Sequence, residues 1–349
     1  MKILLVTNMR PSPRKPYSGI FVINQLKRLQ ENADLQVQLF SMERTFTGPI
    51  GSYWKYFKAS MAFLPLFFKR FDIIHVHYFF PFIVLAHVCK ILRPSTRLVV
   101  TFHGSDINEK VNKGNAKFFS RFNQSIDYVI SVGQDLADMV LDKLSLKTDQ
   151  ILSAGIDDNV FHVLPGKPKK YHFTFASSFV PRKGIDIFLE AIRQLDRKDI
   201  SFCFIGSGAL ESDVRQLAEA YEVDIKLNLK QHEMCEVFNE SYYHILPSRF
   251  EPFGLVVTES MFCGTPSIVS DVGGIKDQVQ HGFNGFILKE NSPECLAGQM
   301  RDCLSIIENN TYSKYEEGAL ISNKEHSLTN VIVETEKIYK YGITCRVHP

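Results

Sequence analysis

Two carboxylates, Glu251 and Glu259, flank Phe253-Gly254 within His244 to Ile287, HILPSRFEPFGLVVTESMFCGTPSIVSDVGGIKDQVQHGFNGFI. Ionised glutamate only accepts hydrogen bonds, so it grips hydroxyl groups without supplying a proton. Gly254 falls where the apolar His244-Ile245-Leu246 has ended in Pro247-Ser248 and the run Leu255 to Phe262 begins, which marks a helix start. A helix start offers N–H groups without intrahelical partners, and a residue with no side chain lets an anion approach the backbone. A pyrophosphate fits such a place. At about 1.5 Å of rise per residue, Glu259 stands roughly 7–8 Å further on, about the span from a diphosphate to its ribose. The pattern predicts a cradle in which one carboxylate holds sugar hydroxyls and the other ribose hydroxyls. Surface glutamates on helices are often merely solvated, so spacing alone does not decide.

Other residues suited to chemistry lie at predicted strand ends. Arg182-Lys183-Gly184 follows the strand Tyr171 to Ser177. Adjacent cations on a turn suit a diphosphate leaving group, whose negative charge grows as the sugar departs, although such pairs are commonly solvated surface. Phe71 to His77 reads as a strand with His75 and His77 on one side. The strand Leu98 to Thr101 delivers His103-Gly104-Ser105-Asp106 to a carboxyl-end loop, where open α/β sheets bind ligands. His103 and Asp106 serve equally as caps for the following segment. Three histidines are in principle metal ligands, but no carboxylate or cysteine completes a recognisable spacing, and no metal is expected.

The chain that positions these groups has 349 residues, 45% of them hydrophobic, a length that favours two domains. Forty Lys+Arg against 38 Asp+Glu leave a formal charge of +2, too small to argue for nucleic acid. The seven cysteines form no C-x-x-C pair and read as reduced thiols of a cytosolic protein. Lys2 to Val6 is a buried strand rather than a signal peptide. Asn8 to Gly19 is a Pro-rich basic turn leading to a helix from Ile20 to Leu29; it lacks G-x-G-x-x-G, which argues against a dehydrogenase. Gly51 to Arg70 has no acidic residue and places Trp54, Phe57, Met61 and Leu64 at helical spacing. That stripe suits either an interfacial helix on anionic lipid or a helix packed on the sheet, and it is too short to span a bilayer. Leu164 to Lys170 is a Pro/Gly/Lys linker. Gly206-Ser207-Gly208 reads as a tight strand-to-helix turn, Ile225 to Leu229 as a strand, and Lys230-Gln231-His232 as a loop.

Pro247-Ser248, Glu251, Phe253-Gly254-Leu255, Glu259 and Gly264-Thr265-Pro266 together resemble the E-x7-E region of retaining GT-B glycosyltransferases of the family 4 type. The resemblance implies an α/β GT-B fold of two doubly wound Rossmann-like domains facing across a cleft. It implies an acceptor-binding domain over 1–163, a linker over 164–170, a nucleotide-sugar domain over 171–325 and a final helix within 326–349 crossing back to the first domain. It assigns Glu251, His103, Lys183 and Arg182 to catalysis, and Gly19, Ser178, Arg182, Lys183, Glu251, Phe253, Gly254, Leu255 and Glu259 to the donor. The chain departs from the family where Ser177-Ser178 replace Gly-Arg, where Ala154 replaces Asn, and where Gly19 stands as the sole glycine of its loop; Arg182 is the expected substitute cation. The implied reaction moves a hexosyl-type unit from a UDP- or GDP-linked sugar, without cofactor or metal, to a glycan or lipid-linked glycan in cell-surface polysaccharide synthesis. The expected location is cytoplasmic, at the inner face of the membrane through 51–70. A sugar-nucleotide 2-epimerase, a glycan phosphorylase and a non-catalytic nucleotide-sugar-binding protein are the alternatives.

Overall fold

The structure, a computed structural model, describes residues 1–11, 18–42, 49–322 and 324–342, with side chains except those of 49–53. Arg14 and Lys15 of the basic turn and Cys345 lie outside the described residues. The chain forms two compact units: the first gathers the described residues up to Gly155 and from Leu328 onward, and the second runs from Ile156 to Ser327.

In the first unit the strands are β1 (Lys2–Thr7), β2 (Gln36–Ser41), β3 (Ile73–His77), β4 (Arg97–Phe102), β5 (Tyr128–Ser131) and β6 (Gln150–Ile151). They form one parallel sheet in the order β2-β1-β3-β4-β5-β6. Strands covered on both faces must be apolar throughout, and Ile3, Leu4, Leu5 and Val6 are all fully buried. The core includes Ile3, Leu5, Ile73, Val99 and Ile130 together with Leu328, Ile332, Ile338 and Tyr339 from the last helical segment. β2 escapes sequence reading because it is an edge strand whose residues are only half-buried.

The second unit repeats the plan with β7 (Tyr171–Ala176), β8 (Ser201–Ile205), β9 (Glu222–Lys226), β10 (Ser241–Leu246), β11 (Ser267–Ser270) and β12 (Gly285–Leu288). All are parallel, in the order β12-β11-β10-β7-β8-β9. The order reverses between β7 and β10, the place where doubly wound sheets open a crevice beyond their strand ends. Phe173, Phe175, Phe188, Phe202 and Phe204 stack through its core.

The chain enters the second unit at Ile156, ahead of the Pro/Gly/Lys stretch expected to divide the domains. The reason is burial: Ile156 and Phe161 pack with Tyr171 and Phe238 of the second unit. β9 lies earlier than the expected Ile225 to Leu229. Lys230 is the N-cap of the helix Gln231–Asn239, its N–H donating to Glu233 Oε2 at 2.6 Å, so His232 sits on a helix and not in a loop.

The helix Pro49–Phe63 and the following 3-10 turn Leu64–Phe68 pack through Ala59, Phe63 and Leu66, which are buried. The stripe faces outward: Trp54 and Phe57 are each 56% exposed, Met61 50%, Leu64 42% and Phe68 85%. No helix among the described residues is long and apolar enough to cross a membrane.

Candidate functional site

The loop leaving β10 is braced at several points. Ser270 Oγ donates to Ser248 O at 2.5 Å, and Asn291 Nδ2 donates to Pro247 O and Ser248 O at 3.2 Å each. Gly274 N donates to Glu251 O at 3.1 Å. At Gly273, φ +53, a Cβ would stand 1.8 Å from that same oxygen. The carboxamide of Gln278 donates to Phe253 O and accepts from Thr258 Oγ1, all buried. Gly254 then caps the helix Leu255–Phe262 in the left-handed region (φ 83), where a side chain would meet Ile275 Cγ2 at 2.3 Å. The first-turn amides therefore follow a loop braced by these bonds, behind a residue that has no side chain of its own.

The loop leaving β7 is knitted to the loop after β8. Ser177 N donates to Ile205 O at 3.0 Å, Phe179 N to Ser207 O at 2.9 Å and Leu210 N to Phe179 O at 3.0 Å. A Cβ on Gly206 would lie 1.9 Å from Ser177 O. This glycine pair thus supports the segment carrying Ser178, which is exposed. Pro181–Lys183 form a 3-10 turn, and Gly184 (φ 72) opens the helix Ile185–Leu195.

The two loops meet. A Cβ on Gly184 would stand 1.8 Å from Pro247 O. Arg249 N donates to Arg182 O at 2.9 Å, and the Arg249 guanidinium forks onto the Asp186 carboxylate at 2.8 and 2.7 Å. Lys183 Nζ forms an ion pair with Glu251, and both side chains are largely buried. Arg182 is exposed. Glu259 is half-buried on the helix beyond, with no hydrogen-bond partner among the described residues; burial pushes its carboxyl up to about 7. An acceptor poised without a donor is suited to bind hydroxyls.

The remaining predicted residues belong to the first unit. Gly19 (φ 69) caps the helix Ile20–Gln30 against Met9 and places Phe21 with its ring 4.8 Å from that of His103. His103 is half-buried, and burial, then its neighbour His77, hold its imidazole well below the ordinary range. Asp106 takes the capping role: Oδ1 accepts from His103 N and Gly104 N, and Oδ2 from Phe79 N. His75, His77 and His103 do come together, but as stacked rings 4.3 and 5.4 Å apart. Among the described residues no three His, Cys, Asp or Glu are arranged to hold a metal.

Within the second unit the structure brings together Lys183, Glu251, Phe253, Gly254 and Leu255 and sets Arg182 on the same turn. Sequence reading missed Gln278, Arg249-Asp186 and Asn291. Only the Gly273-Gly274 turn gave any sign that this loop has a partner.

Two doubly wound parallel sheets of this order, each presenting a glycine-opened helix at its reversal point, match the GT-B architecture. The family "Glycosyltransferase Family 4" matches residues 11–159 and "Glycosyl transferases group 1" matches 157–319. The chain is a GT-B glycosyltransferase related to these family 4 and group 1 enzymes, transferring sugar from a nucleotide diphosphate donor. It is 27% identical to an uncharacterised glycosyltransferase of Methanocaldococcus jannaschii over 77% of this chain and 75% of that one. It is 26% identical to N-acetyl-alpha-D-glucosaminyl L-malate synthase of Bacillus anthracis, over 66% and 65%. In fold it is similar to Anabaena HepE in complex with UDP and glucose (TM-score 0.74, 18% identity, 98% of this chain and 100% of that one).

Proposed function

We propose that the chain moves a hexosyl-type sugar, with retention at the anomeric carbon, from a UDP- or GDP-linked donor to a glycan or lipid-linked glycan of a cell-surface polysaccharide. The observation that carries this is the Lys183–Glu251 pair beside the Gly254 helix start, where the sheet order reverses. In this reading Glu251 receives the sugar hydroxyls, Phe253, Gly254 and Leu255 frame the diphosphate, and Glu259 takes the ribose. Donor binding separates Lys183 from Glu251, freeing the ammonium to stabilise the departing diphosphate. Arg182, on the same loop as Ser178, supplies the second cation expected at Ser178. His103 and Gly19 serve the acceptor side. No cofactor or metal is required. A solved relative in complex with UDP-glucose supports the choice of donor.

The enzyme works at the inner face of a membrane containing anionic lipid. The outward stripe of Trp54, Phe57, Met61, Leu64 and Phe68, interleaved with Lys55, Lys58, Lys69 and Arg70, favours this. Apolar residues enter the headgroup boundary while the cations meet lipid phosphates.

The test is a thermal-shift screen over UDP, GDP, ADP and dTDP sugars, since a ligand that binds only the native state raises its stability. The stabilising donor is then supplied with lipid extract and the product's anomeric configuration read by NMR. No shift with any donor, or an inverted product, would sink the reading. Conversion of the donor by protein alone would indicate an epimerase.

A further inference from the structure

The histidine stack of the first unit is more connected than a loop histidine needs. His75 leaves β3 buried, with Nδ1 2.6 Å from Tyr339 Oη and Nε2 2.7 Å from Thr101 Oγ1. His77, 1% exposed, stacks on His75 and bonds His103 through Nδ1···Nε2 at 3.1 Å. Among the described residues its other nitrogen, Nε2, has no partner, and it lines a small cavity with Ser153, whose Oγ is also unpartnered. The next residue, Tyr78, sits in the left-handed region (φ 70), which costs a non-glycine residue roughly 1–3 kcal/mol. Its N–H donates to Thr101 O at 3.1 Å, and its ring lies 4.6 Å from that of His103 and 6.3 Å from that of Phe21, so the three rings form one cluster. Two strand ends and a strained residue thus converge on the orientation of one imidazole.

Burial holds both His77, lowered to about 3, and His103 in the neutral form. Each neutral ring carries one proton, and the Nδ1···Nε2 contact needs a single proton between the rings. If His77 Nδ1 carries it, His103 Nε2 is bare and His103 is protonated at Nδ1. If His103 Nε2 carries it, His77 must be protonated at Nε2. The two rings therefore share one tautomer. The free edge of His103 is Nδ1, which has no hydrogen bond among the described residues.

We propose that His77 is a positioning residue that ties the tautomer of His103 to its own, so that the Nδ1 edge changes its hydrogen-bonding character only when both rings exchange together. This rests on the reading that His103 serves the transferred sugar or acceptor. An imidazole free to change tautomer on its own spends part of its time unable to make the required bond.

The test uses the full chain with the donor found by the thermal-shift screen. His77→Phe keeps the stacked ring and removes the nitrogen; His77→Asn restores a polar group at the Nδ1 position. We expect H77F to lower kcat roughly 10–100-fold, the usual cost of removing a group that orients an imidazole, with donor KM nearly unchanged, and H77N to recover most of the loss. In protein carrying ¹⁵N-labelled histidine, His77 and His103 should show the same tautomer, and His103 should become a mixture in H77F. A kcat that falls equally in H77F and H77N together with the melting temperature would mark a structural role and overturn the proposal. So would opposite tautomers in the native protein, or a His103 signal unmoved in H77F. His103→Ala separates the two ideas: unchanged kcat there removes the role of His103, while the nitrogen shifts still decide the coupling.

Discussion

Lys183 and Glu251 neutralise each other across two loops that leave strands β7 and β10, with their side chains only 15% and 11% exposed. Such a pair has already lost most of its hydration, so removing one partner strands a charge. Lys183→Ala should cost on the order of 2–4 kcal/mol in urea unfolding, and the Lys183→Met, Glu251→Gln double variant less than the sum of its single changes. Additive effects would show that the pair is not coupled.

Glu259 gives a pH-dependent prediction. Its carboxyl in the folded protein, at about 7, lies above the ordinary 4.5. Between those values the folded state binds more protons than the unfolded one, so this group's contribution falls as pH rises through the window. Glu259→Gln should match the native protein near pH 4.5 and exceed it at pH 8 by on the order of 1–3 kcal/mol, while weakening nucleotide binding. A constant stability difference from pH 4.5 to 8 would contradict this.

Gln278 holds Phe253 O and Thr258 Oγ1 where neither meets water. Replacing it by Leu leaves both groups buried and unpaired, at about 1–3 kcal/mol each. Because the clamp sets the approach to Gly254, donor affinity should fall as well. Calorimetry on the folded variant decides between a local loss of binding and global unfolding.

Gly184 and Gly282 share a left-handed backbone, φ 72 and 78, but differ in their surroundings. Alanine at Gly282 meets nothing within 4 Å and should cost only the backbone term of about 1–2 kcal/mol. Alanine at Gly184 must also displace Pro247 O, so a larger loss of stability and a weaker donor-induced thermal shift are expected. Equal melting temperatures for the two variants would refute the contact.

The outward stripe predicts lipid dependence. The protein should sediment with vesicles rich in phosphatidylglycerol and not with phosphatidylcholine alone, and Trp54→Ser with Phe57→Ser should abolish this without changing turnover of a soluble acceptor. Binding should weaken as salt rises. Retention by both lipids, or by neither, would remove the membrane from the proposal.

The sequence displays Gly254 and the helix Leu255–Phe262 plainly, because a glycine between a strand run and an apolar run has few other readings. The same was true of the central strands, whose unbroken apolar runs reflect burial on both faces. β2 was hidden by its edge position, and His232 was misplaced because a lysine N-cap carries no recognised signature. The bracing of the site was illegible for a different reason. Gln278 and Asn291 act through bonds to backbone carbonyls of a distant loop, and glutamine or asparagine in a sequence does not reveal which carbonyl it meets. The mutual neutralisation of Lys183 and Glu251 was equally hidden, since both residues were read only as ligands for substrate.

The first unit's core is finished by Leu328, Ile332, Ile338 and Tyr339, and this has a consequence for synthesis on the ribosome. A nascent chain that has emerged through Gly155 lacks the tyrosine that bonds His75 and the aliphatic residues that cover β1 and β3. The second unit, contiguous from Ile156 to Ser327, can close first. The earlier-made half must wait for the later-made half before its own interior is complete, so a chain interrupted before Tyr339 leaves the sheet that carries His103 with part of its apolar surface uncovered.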